Sequence, residues 1–468
     1  MDLDPDLKPD PQASNSSHYH EEPPSVVRAW LHAIFLTPYL ILIFLRDALL
    51  ALLPWTRPVK TWSLNQAFRM RVAKLLLHYW SLTRSADKNT LKPGKEGNRF
   101  EVVQPSPLLS SSKEEEDTDY YTGVLAPAAT SEANGLVQSD PVKPGPVGMT
   151  WTPARPPKPR QLIRKDLVVA LHFHGGGFVL GSGRDDDTGF MARCFLEHAG
   201  VTHVCAPQYR LSADPSTYGK FPAPQVQDAL TAYLALVHDY GIPGSQIIVS
   251  GDSAGGNLAL GLCRYISEFN SKTKKKKELL LPVPAGVALY SPWVDVPAAL
   301  HMDMRMSPNY GTDYLNREFG VWGARSVYSG FPDDGDAEHA SVEGYLSPLH
   351  HPFYLQSSHA SNSDGGIPMF IHAGEREVLV DDARLFAQRY AEVKVGGGGK
   401  QGGSSAWRVK LVESKGCPHD ILLVGDLVGF QKEAKEAAKW AGEFFAEVGV
   451  VPGNGGNSSK LNGYSKKR

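Results

Sequence analysis

Between Leu167 and Val448, short and uniformly apolar runs alternate with segments of helical apolar spacing, a pattern that few folds accept. The runs are LVVALHF (167–173), THVCA (202–206), QIIVS (246–250), AGVALYS (285–291), MFIHAG (369–374) and WRVKLVES (407–414). A strand with one wet face alternates apolar and polar residues. Runs that are apolar throughout imply strands covered on both faces. Helices are predicted at 188–199, 224–238, 254–269, 381–393 and 430–448. Strands separated by helices imply a mostly parallel sheet flanked by helices, an α/β architecture. Such sheets bind ligands at the carboxyl ends of their strands, so the loops leaving each strand are where chemistry is expected.

The loop after QIIVS reads Gly251-Asp252-Ser253-Ala254-Gly255-Gly256-Asn257 and runs into the helical LALGLCRYI. This is G-x-S-x-G between a strand and a helix, the context that makes the pattern specific. A turn that sharp strains the serine backbone and leaves no room for a Cβ two residues before or after it. Gly251 and Gly255 meet that demand, and Ser253 is the expected nucleophile. After LVVALHF comes His174-Gly175-Gly176-Gly177-Phe178. Glycines let main-chain amides approach a developing oxyanion, and each such donor supplies roughly 3–4 kcal/mol. Gly175, Gly176 and the amide of Ala254 are the expected oxyanion hole. A phosphate loop is the rival reading, but it needs a Lys-Ser/Thr or a third spaced glycine that does not follow here. His174 is read as a structural hydrogen-bonding residue.

A base should stand in a loop after a late strand, and WRVKLVES followed by KGCPHDILL supplies His419. His350, His351 and His372 are the other candidates among 16 histidines. The chain order Ser, acid, His places the carboxylate after MFIHAG. Asp381 and Asp382 open a helix and can serve as its cap. Glu377 lies in the loop proper and is chosen as the acid, with Asp381 as the alternative.

Taken together, HGGGF (174–178), GDSAGG (251–256), YRLS (209–212), SPWVD (291–295) and AGEREVLVDD (373–382) resemble the hormone-sensitive-lipase-like family of α/β hydrolases. That family is similar to microsomal arylacetamide deacetylases. The resemblance covers roughly Leu167 to Val448. It implies an α/β-hydrolase core with a helical cap, hydrolysis of short- to medium-chain acyl esters, and no metal or organic cofactor. Residue by residue it implies a nucleophile at Ser253, an acid at Glu377, a base at His419 and oxyanion donors at Gly175, Gly176 and Ala254. The acid position is often Asp in the family and is Glu here. The segment after YRLS is lengthened, and 395–405 is rich in glycine.

The balance of 48 Lys+Arg against 50 Asp+Glu gives a net charge of -2, which offers no argument for nucleic acid as a partner. Four cysteines (Cys194, Cys205, Cys263, Cys417) are too sparse for a disulfide framework and show no CxxC spacing. Three lie in apolar segments and read as buried thiols. Cys417 reads as a small loop residue near His419.

Residues 1–25 read as a polar, disordered tail. From Ala29 to Leu45 seventeen residues carry no formal charge. A helix of that length spans roughly 26 Å against a hydrocarbon core of about 30 Å. Arg46 and Asp47 interrupt the run before ALLALLP, so 26–55 is expected to be membrane-associated, either spanning or lying in the interface. The excess of Arg and Lys after the run places the catalytic side in the cytosol, at a membrane such as that of the endoplasmic reticulum. Residues 56–160 are expected to hold an N-terminal cap segment, helical over 61–82, and a linker that is mostly loop. The catalytic domain is expected over 161–450, with a cap insertion near 296–350 and a disordered tail over 451–468. The run KTKKKKE (272–278) reads as a solvated loop, and sequons at Asn15 and Asn457 fall in the tails.

Overall fold

The computed structural model describes residues 52–87, 89–106, 120–126, 142–158, 167–273, 280–328, 337–357, 365–393 and 407–452, with short pieces of 37–50. Eight strands form one sheet: β1 (Phe100–Val103), β2 (Val147–Thr152), β3 (Val169–Phe173), β4 (His203–Gln208), β5 (Ile247–Asp252), β6 (Gly286–Tyr290), β7 (Pro368–Gly374) and β8 (Arg408–Ser414). Their order across the sheet is β1-β2-β4-β3-β5-β6-β7-β8. β2 runs antiparallel to both β1 and β4, while β3 to β8 pair in parallel. This is the mostly parallel α/β sheet expected from the alternation, and it agrees with the α/β-hydrolase core that the resemblance implies.

The helices used below are α1 (Leu64–Thr83), α2 (Asp185–His198), α3 (Ala223–Leu234), α4 (Ser253–Lys272), α5 (Arg317–Tyr328), α6 (Ala337–Leu346), α7 (Val380–Glu392), α8 (Ile421–Val428) and α9 (Gln431–Glu447). Strand residues divide by parity between the two faces. Val169, Leu171, Phe173, Val249, Val287 and Leu289 pack into a core with α3, α4 and α7. Ala170, Val204, Ile248, Ala288 and Phe370 pack into a second core with α2 and α9. Every residue of β3 and β7 is buried, as covering on both faces requires.

Two strands fall where the sequence reads as loop. β1 and β2 lie within 83–160, in a stretch rich in Pro, Gly, Ser and charge. Their pairing is tertiary: Trp151 of β2 is wholly buried and its indole donates to Glu101 of β1 at 2.7 Å. Four- and six-residue strands are too short to impose a period on the sequence around them. Residues 29–36 and 40 of the apolar run lie outside the described residues, as do 1–25, 274–279, 394–406 and 453–468. Among the described residues no helix is long and apolar enough to cross a membrane.

α1 begins at a capping box in which Ser63 accepts from the Gln66 amide and the Gln66 side chain accepts from the Ser63 amide. It reaches the carboxyl side of the sheet through side-chain bonds. Arg69 donates to the carbonyls of Asp426 and Leu427, and Gln66 donates to that of Gly429. The Trp62 indole donates to the Gly416 carbonyl at 2.7 Å. The N-terminal segment thereby braces the loop that carries His419.

Candidate active site

β5 ends at Asp252, and Ser253 opens α4 with φ +50°, a left-handed conformation that a side chain rarely adopts. A Cβ at Gly251 would stand 2.2 Å from the carbonyl oxygen of Gly255, and one at Gly255 would stand 2.0 Å from that of Phe173. No backbone shift short of undoing the turn relieves contacts of that size. The two glycines therefore hold Ser253 at the carboxyl edge of the central strand.

The loop after β3 passes directly over this turn. A Cβ at Gly175 would meet Asp252 Oδ2 at 2.2 Å and Ser253 Cβ at 3.1 Å. Gly176, Gly177 and Phe178 then take φ of +107°, +62° and +63° in succession. His174 anchors the strip. Its ring stacks on Tyr209 at 4.4 Å, and the Tyr209 hydroxyl donates to the His174 carbonyl at 2.7 Å. His174 is fully buried and burial lowers its pKa, which suits the structural part expected of it.

His419 stands after β8 and is almost wholly buried, edge-on to the Tyr314 ring at 5.8 Å. Burial lowers its pKa to about 3, with the Asp252 carboxylate opposing, so the imidazole is neutral at pH 7 as a general base requires. Glu377 stands after β7 with no exposure. Its Oε2 accepts from the Ser291 hydroxyl at 2.5 Å and from the Gly374 amide at 2.9 Å. Burial pushes its pKa well up, against the pull of the Ser291 bond.

Glu377 Oε2 lies 3.8 Å from His419 Nδ1, longer than a hydrogen bond. Glu377 Oε1 and His419 Nδ1 both lack a hydrogen-bond partner among the described residues. Two buried polar atoms left unpaired cost about 1–3 kcal/mol each. Burial favours the neutral form of each group alone.

A family model described as alpha/beta hydrolase fold matches residues 170–422, more than half of the chain. The chain belongs to the α/β-hydrolase family. Among curated relatives of this hydrolase, an acetyl-hydrolase of Streptomyces hygroscopicus is 28% identical over 233 residues, covering 50% of this chain and 64% of the relative. An esterase of Acinetobacter venetianus is 29% identical over 48% of this chain and 63% of its own length. The human protein arylacetamide deacetylase-like 2 is 31% identical over 27% of this chain and 31% of its own. The hydrolase thus spans less than two thirds of the length of each of these relatives. A solved esterase from Pyrobaculum calidifontis aligns at TM-score 0.46 and 21% identity, over 66% of this chain and 83% of that one.

The remaining candidates are engaged with other partners. The Asp381 side chain is 76% exposed and pairs with Arg384 at 2.8 Å in the first turn of α7. His350 faces Asp295 at 3.1 Å, and His351 faces Glu343 at 3.5 Å. His372 is buried inside β7, where its Nε2 bonds the Ser414 hydroxyl at 2.8 Å. All four cysteines are buried and unpaired. Among the described residues no group of three or more His, Cys, Asp and Glu side chains is disposed to hold a metal ion.

Two further residues belong to the site. Ser291, in a left-handed conformation at φ +45°, donates to Glu377 and accepts from the Asp420 amide at 2.9 Å, so one hydroxyl ties the Glu377 loop to the His419 loop. In the sequence it opens SPWVD (291–295), directly after a strand. Asp252 bonds the buried His172 at 2.8 Å, and His172 bonds Ser250 at 3.0 Å, fixing the floor beneath the nucleophile. Histidine inside an apolar strand is the corresponding signal in LVVALHF.

Proposed function

We propose that this hydrolase cleaves carboxylic esters of short- to medium-chain acyl groups, with Ser253 as nucleophile, His419 as base and Glu377 as acid. The observation that carries the reading is Ser253 held at φ +50° on a turn whose glycines admit no Cβ, with the glycine strip 175–177 against it. His419 takes the Ser253 proton as the hydroxyl oxygen bonds to the ester carbonyl carbon. Glu377 fixes the imidazole tautomer and stabilises the imidazolium. The amides of Gly175, Gly176 and Ala254 hold the oxyanion. His419 returns the proton to the departing alkoxide, which leaves as alcohol. It then takes a proton from water, whose oxygen attacks the acyl-serine to release the acid and restore the hydroxyl.

Relatives named acetyl-hydrolase and esterase support the ester reading. The similarity to arylacetamide deacetylase-like 2 favours a second one, in which the same site deacetylates amides or lipids. A panel of p-nitrophenyl esters of rising acyl length, set beside matched anilides, decides between them. Rates on the esters exceeding those on the anilides by orders of magnitude support an esterase. The reverse order overturns that reading.

We also propose that the segment before α1 lodges in a membrane interface. Ile41, Leu42, Leu45, Leu49, Leu52 and Trp55 are all more than half exposed, and an apolar surface of that kind marks a lipid or partner contact. Phe44 packs against Phe68 of α1 at 5.7 Å, which couples the segment to the catalytic body. Deleting residues 1–55 is expected to release the protein from membranes, and carbonate is expected to strip the full chain. Retention after carbonate would indicate a spanning helix. Protease added to intact microsomes is expected to digest the catalytic domain. Full protection with glycosylation of Asn457 would place it in the lumen.

A further inference from the structure

Resting on the assignment of Glu377 as the acid, we infer that Asn309, Thr312 and Asp313 are positioning residues that hold the acid-bearing loop in its working place. The loop 375–378 is bonded at each of its four residues, across three consecutive peptide units, by this one short segment. The Asn309 side-chain amide donates to the carbonyls of Glu375 at 3.2 Å and Glu377 at 3.0 Å. The Thr312 hydroxyl donates to the Arg376 carbonyl at 2.9 Å. Asp313 Oδ2 accepts from the Val378 amide at 2.8 Å.

The same Asp313 carboxylate also reaches the other half of the pair, accepting from the main-chain amide of His419 at 3.4 Å. One side chain therefore touches the main chain of both the acid loop and the base loop. Asn309 and Asp313 are buried. A buried carboxylate survives only where it is bonded, and the bonds it makes here are to amides of those two loops and to its neighbour Leu315. The segment is in turn strapped to α1. Lys74 donates to the carbonyls of Tyr310 and Asp313 and lies 3.8 Å over the Tyr310 ring. Placement of Glu377 thus depends on residues more than sixty positions upstream of it, and on Lys74 of α1, more than three hundred positions away.

The test is a double-mutant cycle between Asn309→Ala and Glu377→Gln, read in kcat and KM on p-nitrophenyl butyrate. Asn309 is neutral before and after substitution, so unlike Asp313 it leaves the field at Glu377 unchanged. Asn309→Ala is expected to lower kcat about tenfold with KM unchanged. In the Glu377→Gln background the same change is expected to cost less than about twofold, because it acts through the carboxylate already lost. Equal losses in both backgrounds, or a matched fall in thermal midpoint and active fraction, would show a merely structural role and overturn the inference. If Asn309→Ala does not fold, the nearly isosteric Thr312→Val removes one bond of the set. It should lower kcat about threefold in the wild-type background and not in Glu377→Gln. Wild-type turnover in Glu377→Gln itself would overturn the acid assignment first. Impaired Glu377→Gln with fully active Asn309→Ala and Thr312→Val would overturn the positioning role alone.

Discussion

The two halves of the site are built by different means. On the Ser253 side, the turn and the strip 174–177 are placed by close packing, and a Cβ at Gly175, Gly176, Gly251 or Gly255 would sit about 2.2 Å or less from a neighbouring oxygen. On the acid–base side, Glu377 and His419 are placed by side chains brought from distant segments: Ser291, Asn309 and Asp313. The first arrangement tolerates almost no change of residue, because its neighbours are already in contact. The second tolerates more change but fails if a remote partner is lost. A steric site breaks abruptly, and a bonded site degrades by steps.

Substitutions can break that contrast in order of severity. Gly255→Ala should cause the largest loss, because its methyl would sit 2.0 Å from the Phe173 carbonyl oxygen. Turnover should fall by on the order of a hundredfold or more through displacement of the turn. A variant retaining ordinary activity would show that the elbow is not under steric control. Glu377→Gln should slow turnover by on the order of a hundredfold or more, with the fold intact, because the amide disturbs the histidine tautomer. Melting curves beside initial rates separate that loss from unfolding.

Ser291→Ala should have a smaller effect, about tenfold in kcat. It removes one bond to Glu377 and leaves the Asp420 amide without its acceptor, a cost of about 1–3 kcal/mol. Rates indistinguishable from wild type would mean that the hydroxyl bridge does not position the acid. Asp381→Asn should do least. Its carboxylate is 76% exposed in a pair worth at most about 1 kcal/mol, so turnover should stay within about twofold. If this change proves more damaging than Glu377→Gln, the acid has been misassigned.

The same contrast explains what was legible in the sequence. The six parallel strands could be read because burial on both faces leaves uninterrupted apolar runs, and each begins or ends within two residues of expectation. The sharp turn at Ser253 and the glycine strip beside it could be read because steric demand selects glycine at fixed offsets. Glu377 was reachable only by its place in a loop, since nothing local distinguishes it from Asp381. Ser291, Asn309 and Asp313 were not legible in their roles. Their partners lie between 65 and 129 positions away, and no periodicity records a bond across that distance. β1 and β2 were missed for a related reason. They are short strands at the antiparallel edge, buried by tertiary pairing, inside a stretch whose composition signals turns.

The central claim is that a strained serine on the β5–α4 turn is the covalent centre of this hydrolase. The most direct measurement is labelling with a fluorophosphonate probe, located by peptide mass spectrometry and paired with p-nitrophenyl butyrate turnover for wild type and Ser253→Ala. The account predicts a single adduct on Ser253 in the wild type, and neither adduct nor turnover in a folded Ser253→Ala. Wild-type turnover in Ser253→Ala, or an adduct elsewhere that accounts for the activity, would contradict it.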